Sequence, residues 1–268
     1  MIRPSKGWVH VNWRELWDYR ELLYFFAWRD IKVRYKQTAI GAAWAIIQPL
    51  LSMVVFTLFF GTLAHIPSNG LPYPIFSYAG LLPWQLFVYA LTNGSTSLVM
   101  NERVITKAYF PRILVPASTV IAGLLDLAIA FVVLLGMMAF YRVLPSWHLI
   151  ALPLFVLLAV ATALGMAFWL SALDVQYRDV RYTLPFLAQV WLFATPVVYP
   201  SSILPEPWRT VYGLNPMAGV VEGFRWAILG NSPPPGPILA VSAAAVVCLL
   251  TSGVLFFRRM EQTMADVV

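Results

Sequence analysis

"AIGAAWAIIQPLLSMVVFTLFFGTL", residues 39–63, decides the fold. It contains no Asp, Glu, Lys or Arg. A hydrocarbon core about 30 Å thick needs roughly 20 apolar residues of helix to cross it, and this run is long enough. The charge-free interval continues to residue 101, so a second apolar run, 78–100, follows without one ionised side chain. Further runs occupy 113–140, 150–173, 182–199 and 237–257. Of the 268 residues, 60% are hydrophobic and 11% charged. Soluble domains carry about 25% charged residues, so a soluble fold with a large core is excluded. Backbone polar groups in lipid must be satisfied within the segment, which makes these runs helices. The expectation is an all-α integral membrane protein with six transmembrane helices. Residues 1–36 hold no short apolar region followed by a small-residue cleavage site, so the first span is expected to be retained.

Charge placement sets the expected sidedness. Arg3, Lys6, Arg14, Arg20, Arg29, Lys32, Arg34 and Lys36 precede the first run. Arg103, Lys107 and Arg112 follow the second, Arg178 and Arg181 the fourth, and Arg258 and Arg259 the last. Only Arg142, Arg209 and Arg225 fall on the opposite side of a six-span chain. Lys and Arg accumulate on the cytoplasmic side, so both termini are expected there. The organisation reads as a cytoplasmic segment 1–36, a transmembrane domain 37–257 and a cytoplasmic tail 258–268.

Residues 11–36, "VNWRELWDYRELLYFFAWRDIKVRYK", are not a span. Trp13, Leu16, Trp17, Leu23, Tyr24, Ala27, Trp28 and Ile31 recur at helical spacing, with Arg14, Asp18 and Glu21 opposite. Asn12 and Glu15 have capping-box spacing. This is an amphipathic helix for the membrane interface. The acidic residues suit a face that meets protein, because anionic lipid alone favours a purely basic one.

Between the last two runs, Asn215-Pro216 breaks the chain and opens a helix over 217–229 that carries Glu222 and Arg225. Two short half-helices in the outer leaflet are expected, at the mouth of a pathway or as a surface cap. Prolines 49, 83, 185 and 196 fall within expected spans and mark either packing geometry or moving parts. Asp126 is the one acidic residue well inside a span; a pathway role and a hydrogen-bonded packing role both remain open.

Absences narrow the chemistry. None of the four lysines follows a glycine, so a nucleotide-binding loop of the Gly-Lys-Ser/Thr kind is missing. The three histidines are scattered and Cys248 is the one cysteine, so neither a metal site nor an internal disulfide is expected. No hydrolase triad or paired carboxylates fall on one face. A multi-spanning chain without an energy source of its own points to an external motor. "NERVITKAYFPR", residues 101–112, then reads as either an ordinary positive loop or a short helix, 101–109, broken by Pro111 and seated on that motor. In the second case Tyr109 and Phe110 are the apolar anchors and Lys107 and Arg112 the polar rim.

The stretch 25–51 resembles the start of ABC-2 type permeases that export polysaccharides, through Arg29, Asp30, Arg34, Tyr35, Gly41, Trp44, Pro49 and Leu50. Ile40 stands where Leu is commoner. "NERVITKAYFPR" is similar to the family's coupling-helix region, with Val104 at a usual Leu position. "LDVQYRDVRY" (173–182), "TPVVYP" (195–200) and "LNPM" (214–217) resemble further elements in the same order, with Asp174 where Asn is frequent. The resemblance implies a homodimer of six-span subunits in the bacterial inner membrane, each bound by a separate cytoplasmic ATPase. The ATPase would hold ATP and Mg, with no cofactor in this chain. Cargo would be a lipid-linked glycan; membrane lipid is the other contact, and nucleic acid is not expected. Other cargo, such as a drug, a lipid or teichoic acid, and a non-transport scaffold are the alternatives.

Three groups of site residues follow. The ATPase-coupling surface is expected at Arg29, Asp30, Arg34, Glu102, Arg103, Lys107, Tyr109, Phe110 and Arg112. The translocation path is expected at Trp44, Phe56, Phe59, Phe60, Trp84, Tyr89, Asp126 and Trp191, because aromatic faces suit the C–H faces of sugars. The periplasmic exit is expected at Tyr199, Trp208, Tyr212, Asn215, Glu222 and Arg225.

Overall fold

The computed structural model describes residues 13–36, 41–230 and 234–261. Every regular element among them is helical. In chain order these are α1 (Trp13–Asp18), α2 (Arg20–Lys36), α3 (Gly41–Phe56), α4 (Tyr73–Tyr89), α5 (Ser95–Met100), α6 (Glu102–Ile105) and α7 (Leu114–Phe140). They are followed by α8 (Leu152–Gln176), α9 (Val180–Phe193), α10 (Trp208–Val211), α11 (Pro216–Leu229) and α12 (Pro237–Glu261). Two π-helical segments, Thr57–Leu63 and Ala90–Gly94, extend α3 and α4. The expected cap Asn12 and the tail beyond Glu261 lie outside the described residues.

Five helical stretches are long and apolar enough to cross a membrane: Ala43–Leu63, Tyr73–Met100, Leu114–Phe140, Trp147–Gln176 and Pro237–Glu261. The remaining expected span, 182–199, overlaps the shorter α9, of 14 residues. At 1.5 Å per residue it reaches about 21 Å, short of a roughly 30 Å hydrocarbon core. It stops where Pro196 has no N–H to continue the ladder and Val197 N–H turns back to the Thr195 carbonyl at 2.7 Å.

Helix α4 is the axis of the core. Of the most apolar 18 residues of its stretch 78% are buried, against 11% for those of Ala43–Leu63. Tyr78, Phe76, Phe87, Leu81 and Leu82 are enclosed by α7, α8 and α11. Helices α8 and α12 lie close together because Gly253 faces Gly165. A Cβ on Gly253 would come within 2.6 Å of the Gly165 carbonyl oxygen. Small residues permit such approaches where packing rather than hydrophobicity joins helices in a membrane. Trp169 closes this seam by donating to Ser252 Oγ at 3.1 Å and stacking on Phe256 at 4.0 Å. Asp174, fully buried near the end of α8, is paired by both Arg181 Nε and Nη2 at 3.2 Å, which fixes the start of α9.

The N-terminal helices divide the expected apolar face. Phe26 and Ala27 are buried, and Leu16 and Leu23 join the packing beneath them. Trp17, Tyr24 and Trp28 remain exposed, the last two stacked at 6.5 Å. The face against the protein is thus offset by about a quarter turn from the face drawn by the aromatics, since one residue advances a helix by about 100°.

Candidate functional site

Helix α2 lies along α7, and its last turn reaches the middle of that helix. There Arg34 Nη1 pairs with Asp126 Oδ2, and the Tyr35 hydroxyl donates to Asp126 Oδ1. The Arg34 guanidinium also covers the Tyr89 ring, 4.5 Å from its centre. Asp126 therefore has partners, as a hydrogen-bonded packing role requires, although none is visible within the expected spans. They come from a segment 91 residues away that reads as surface. Burial, and then the bond to Asp126, push the Tyr35 hydroxyl above the usual phenol range, so it stays a donor. The pair opens onto a cleft between α3, α4 and α7.

The other coupling residues separate by exposure. Arg29 and Asp30 pair with each other at 2.8 Å. Glu102, Arg103, Lys107 and Tyr109 are exposed, Tyr109 at 89%. Phe110 is not free: it is 7% exposed and packs edge-on to Phe26, with ring centres 5.4 Å apart. It pins the loop to α2 rather than offering an anchor to a partner. The expected helix 101–109 is only Glu102–Ile105. The Thr106 hydroxyl bonds back to the Glu102 carbonyl at 3.0 Å as the turn ends. The Arg112 backbone N–H donates to Glu261 Oε1 at 3.0 Å, joining the loop to the end of α12.

At the other end, α9 stops with its last carbonyls needing donors. Tyr199 O–H donates to the Phe193 carbonyl at 2.8 Å, and Tyr212 O–H to that of Ala194 at 2.9 Å. Asn215 Nδ2 donates to the Ala194 carbonyl as well, at 2.8 Å. Burial and the Tyr199 contact hold the Tyr212 hydroxyl far above the ordinary phenol range. Asn215 also caps α11 by accepting from Met217 N–H at 3.1 Å. Its Oδ1 accepts from Trp191 Nε1 at 3.2 Å.

Beneath them, Arg225 donates through Nε to the Phe76 carbonyl at 3.1 Å and through Nη1 to that of Pro196 at 2.5 Å. Its Nη2 donates to the Val197 carbonyl. Glu222 lies 3.7 Å away and accepts from Ser201 N–H at 2.8 Å. Arg225 is fully buried and Glu222 is 7% exposed. A guanidinium stays charged in a protein, so the cradle of carbonyls is its solvation. Glu222 and Arg225, expected at an exit, are instead an internal knot; Trp208 is exposed, and Tyr212 and Asn215 are half-buried above it. Gly80 makes room for the knot, since a Cβ there would lie 2.5 Å from Arg225 Nη2.

The expected path residues also divide. Trp44 and Phe59 are exposed on α3 and its π-helical extension. Phe56 and Trp84 are buried, Trp84 against Phe87 at 5.3 Å, so they are core and not wall. Phe60 is half-buried between Phe56 and Phe193. Trp191 is held by Asn215 and by Phe87 at 5.1 Å. Gln48, Gln85 and Asn93 line the cleft beside Asp126 and were not among the expected residues. Amides inside apolar runs are their signal in the sequence.

Residues 21–229 match the ABC-2 type transporter family. The chain belongs to that family. Within it, this ABC-2 chain is 31% identical to the O-antigen export system permease protein RfbA of Myxococcus xanthus, over 93% of this chain and 96% of that protein. It is 25% identical to the O-antigen export system permease protein RfbA of Klebsiella pneumoniae, over 92% and 95% of the two chains. It is 23% identical to the polysialic acid transport protein KpsM of Escherichia coli, over 88% and 92%. ABC-2 chains are the permease subunits of ABC transporters, and the apolar helices make this one a multi-pass membrane protein.

Proposed function

We propose that this chain is the membrane subunit of an ATP-driven exporter that carries a lipid-linked polysaccharide of the O-antigen kind across the bacterial inner membrane. The observation that carries the reading is the end-to-end match to permeases named for O-antigen export. ATP and Mg belong to a separate cytoplasmic ATPase. Its docking surface is the exposed edge of Glu102, Arg103, Lys107 and Tyr109, next to the exposed charges of α2. The bias of basic residues supports cytoplasmic termini. In the oligomer, α9 completes a sixth crossing with the 194–200 connection.

A second copy of the chain covers the open sides of α3 and α9. Leu51, Val54, Leu58 and Phe59 are exposed on the first side, and Tyr182, Phe186, Val190 and Phe193 on the second. Exposed apolar stretches of this extent mark protein or lipid contacts. The exposed Trp44 and Phe59 lie where two such faces would enclose a path.

Removing the chain from its native cell tests the reading. Surface polysaccharide is expected to disappear while lipid-linked polymer accumulates inside, and gentle extraction is expected to bring an ATPase with the tagged chain. Undiminished surface polysaccharide would overturn it.

A further inference from the structure

The cleft beside Asp126 has a lining that neither the packing of α2 nor the docking of an ATPase uses. Gln48 of α3 and Gln85 of α4 both face it, and neither amide finds a hydrogen-bond partner among the described residues. Asn93 Nδ2 donates to the Tyr89 carbonyl at 3.3 Å, which leaves its amide oxygen open on the rim. Pro49 has no N–H for the Ala45 carbonyl, and both residues line the cleft. Thr92 and Asn93 are presented by the π-helical segment Ala90–Gly94, a distortion often found at functional sites. Gln48 is exposed and Gln85 half-buried; polar groups at membrane depth persist where they face protein or a water-filled cavity, so these amides face water, protein or cargo rather than lipid chains.

The chemistry of the lining selects the occupant. Arg34 and Asp126 neutralise each other, so the cleft offers no unpaired charge to a phosphate or an acidic sugar. The amides supply both donors and acceptors, which suits hydroxyl groups. Leu82, Leu86 and Leu127 supply an apolar wall, which suits a C–H face. We propose that this cleft is a binding subsite for a neutral, hydroxyl-rich sugar unit of the moving glycan, held by Gln48 and Gln85. The proposal rests on the export reading and adds to it a place and a class of sugar. The subsite is distinct from the exposed aromatics: Trp44 and Phe59 offer faces along which a chain slides, whereas the amides offer a seat that fixes one unit in register.

The test places a photoreactive benzophenone residue at position 48 or 85 in cells that make the native glycan and its ATPase. Position 132 is the control, because Val132 is exposed on α7 and outside the cleft. After illumination the chain is purified, and attached glycan is detected by periodate oxidation of vicinal diols and hydrazide tagging. Light-dependent tagging at 48 and 85, several-fold above 132 and lost when glycan synthesis is blocked, is expected. Cross-links only to lipid or to a second copy of the chain would overturn the subsite.

A second measurement uses the paired variant Gln48→Leu, Gln85→Leu. Surface glycan should fall about tenfold, the consequence of losing two neutral hydrogen bonds, with protein level and ATPase association unchanged. Normal surface glycan in this variant also overturns the subsite. Failure of the subsite is distinguishable from failure of the export reading, because only the latter leaves surface glycan intact when the whole chain is removed.

Discussion

Arg225 and Arg34 each meet a carboxylate inside the helical body, and they do so in opposite ways. The Arg225 side chain is 1% exposed and that of Glu222 8%. The Arg34 side chain is 37% exposed and that of Asp126 20%. Arg225 gives its donors to carbonyls from two distant segments, so three parts of the chain must be in place together. Arg34 shares its carboxylate with Tyr35 beside an open cleft. A buried, fully satisfied charge holds a scaffold and is costly to break. A half-exposed pair separates at small cost and suits a joint that moves. One end of the molecule is therefore held by a buried, fully satisfied charge, and the other by a pair that water reaches.

The sharpest way to break this contrast is Arg225→Ala. It strands Glu222 and the carbonyls of Phe76, Pro196 and Val197, a loss of about 3–5 kcal/mol for one partner of a buried pair. Against a total stability of about 5–15 kcal/mol that is a large fraction. Size-exclusion of the detergent-extracted variant should show little intact protein, and a normal peak would remove the knot from the scaffold. Gly80→Ala comes next, by pressing a methyl against Arg225 Nη2. Overpacking of this kind costs about 1–3 kcal/mol and should lower the melting temperature. In an Arg225→Met background the penalty should shrink, since neighbouring changes couple; equal penalties in both backgrounds would separate Gly80 from the knot.

Asp126→Asn sharpens the contrast from the other side. Its stability cost is expected at about 1 kcal/mol or less, because the pair is partly solvated. Melting should barely move, while surface glycan falls as α2 loosens from α7. Unchanged export would reduce the pair to packing. The smallest structural effect is expected for Lys107→Glu, an exposed change that leaves melting in place. ATP hydrolysis by the assembled complex should then continue with less glycan exported, and normal export would leave the loop a marker of sidedness.

The spans were legible because hydrophobic length is a local property: 39–63, 78–100, 113–140, 150–173 and 237–257 each overlap a long apolar helical stretch among the described residues. The helix after Asn215-Pro216 was legible for the same reason, its cap and first proline being adjacent in sequence. The run 182–199 was legible only in part: α9 ends at Phe193, because composition does not register that Pro196 ends the hydrogen-bond ladder. The partners of Asp126 were hidden, since periodicity assigns faces to a helix but not the neighbour each face meets. Phe110 misled in the same way, as Phe26 already occupies its ring. Glu222 and Arg225 read as an exit because charge usually signals water, and here a cradle of carbonyls takes the place of water.

The Arg225 knot bears on how the polypeptide is assembled during synthesis. Phe76 leaves the ribosome long before Pro196, and Arg225 later still. An arginine entering bare hydrocarbon is heavily disfavoured. Helix α11 cannot settle as an independent inserted segment; it must be received by a seat that α4 and the end of α9 have already prepared. Biogenesis then carries a built-in checkpoint, because a nascent chain whose earlier helices are misassembled has nowhere to put residue 225 and is left open to quality control.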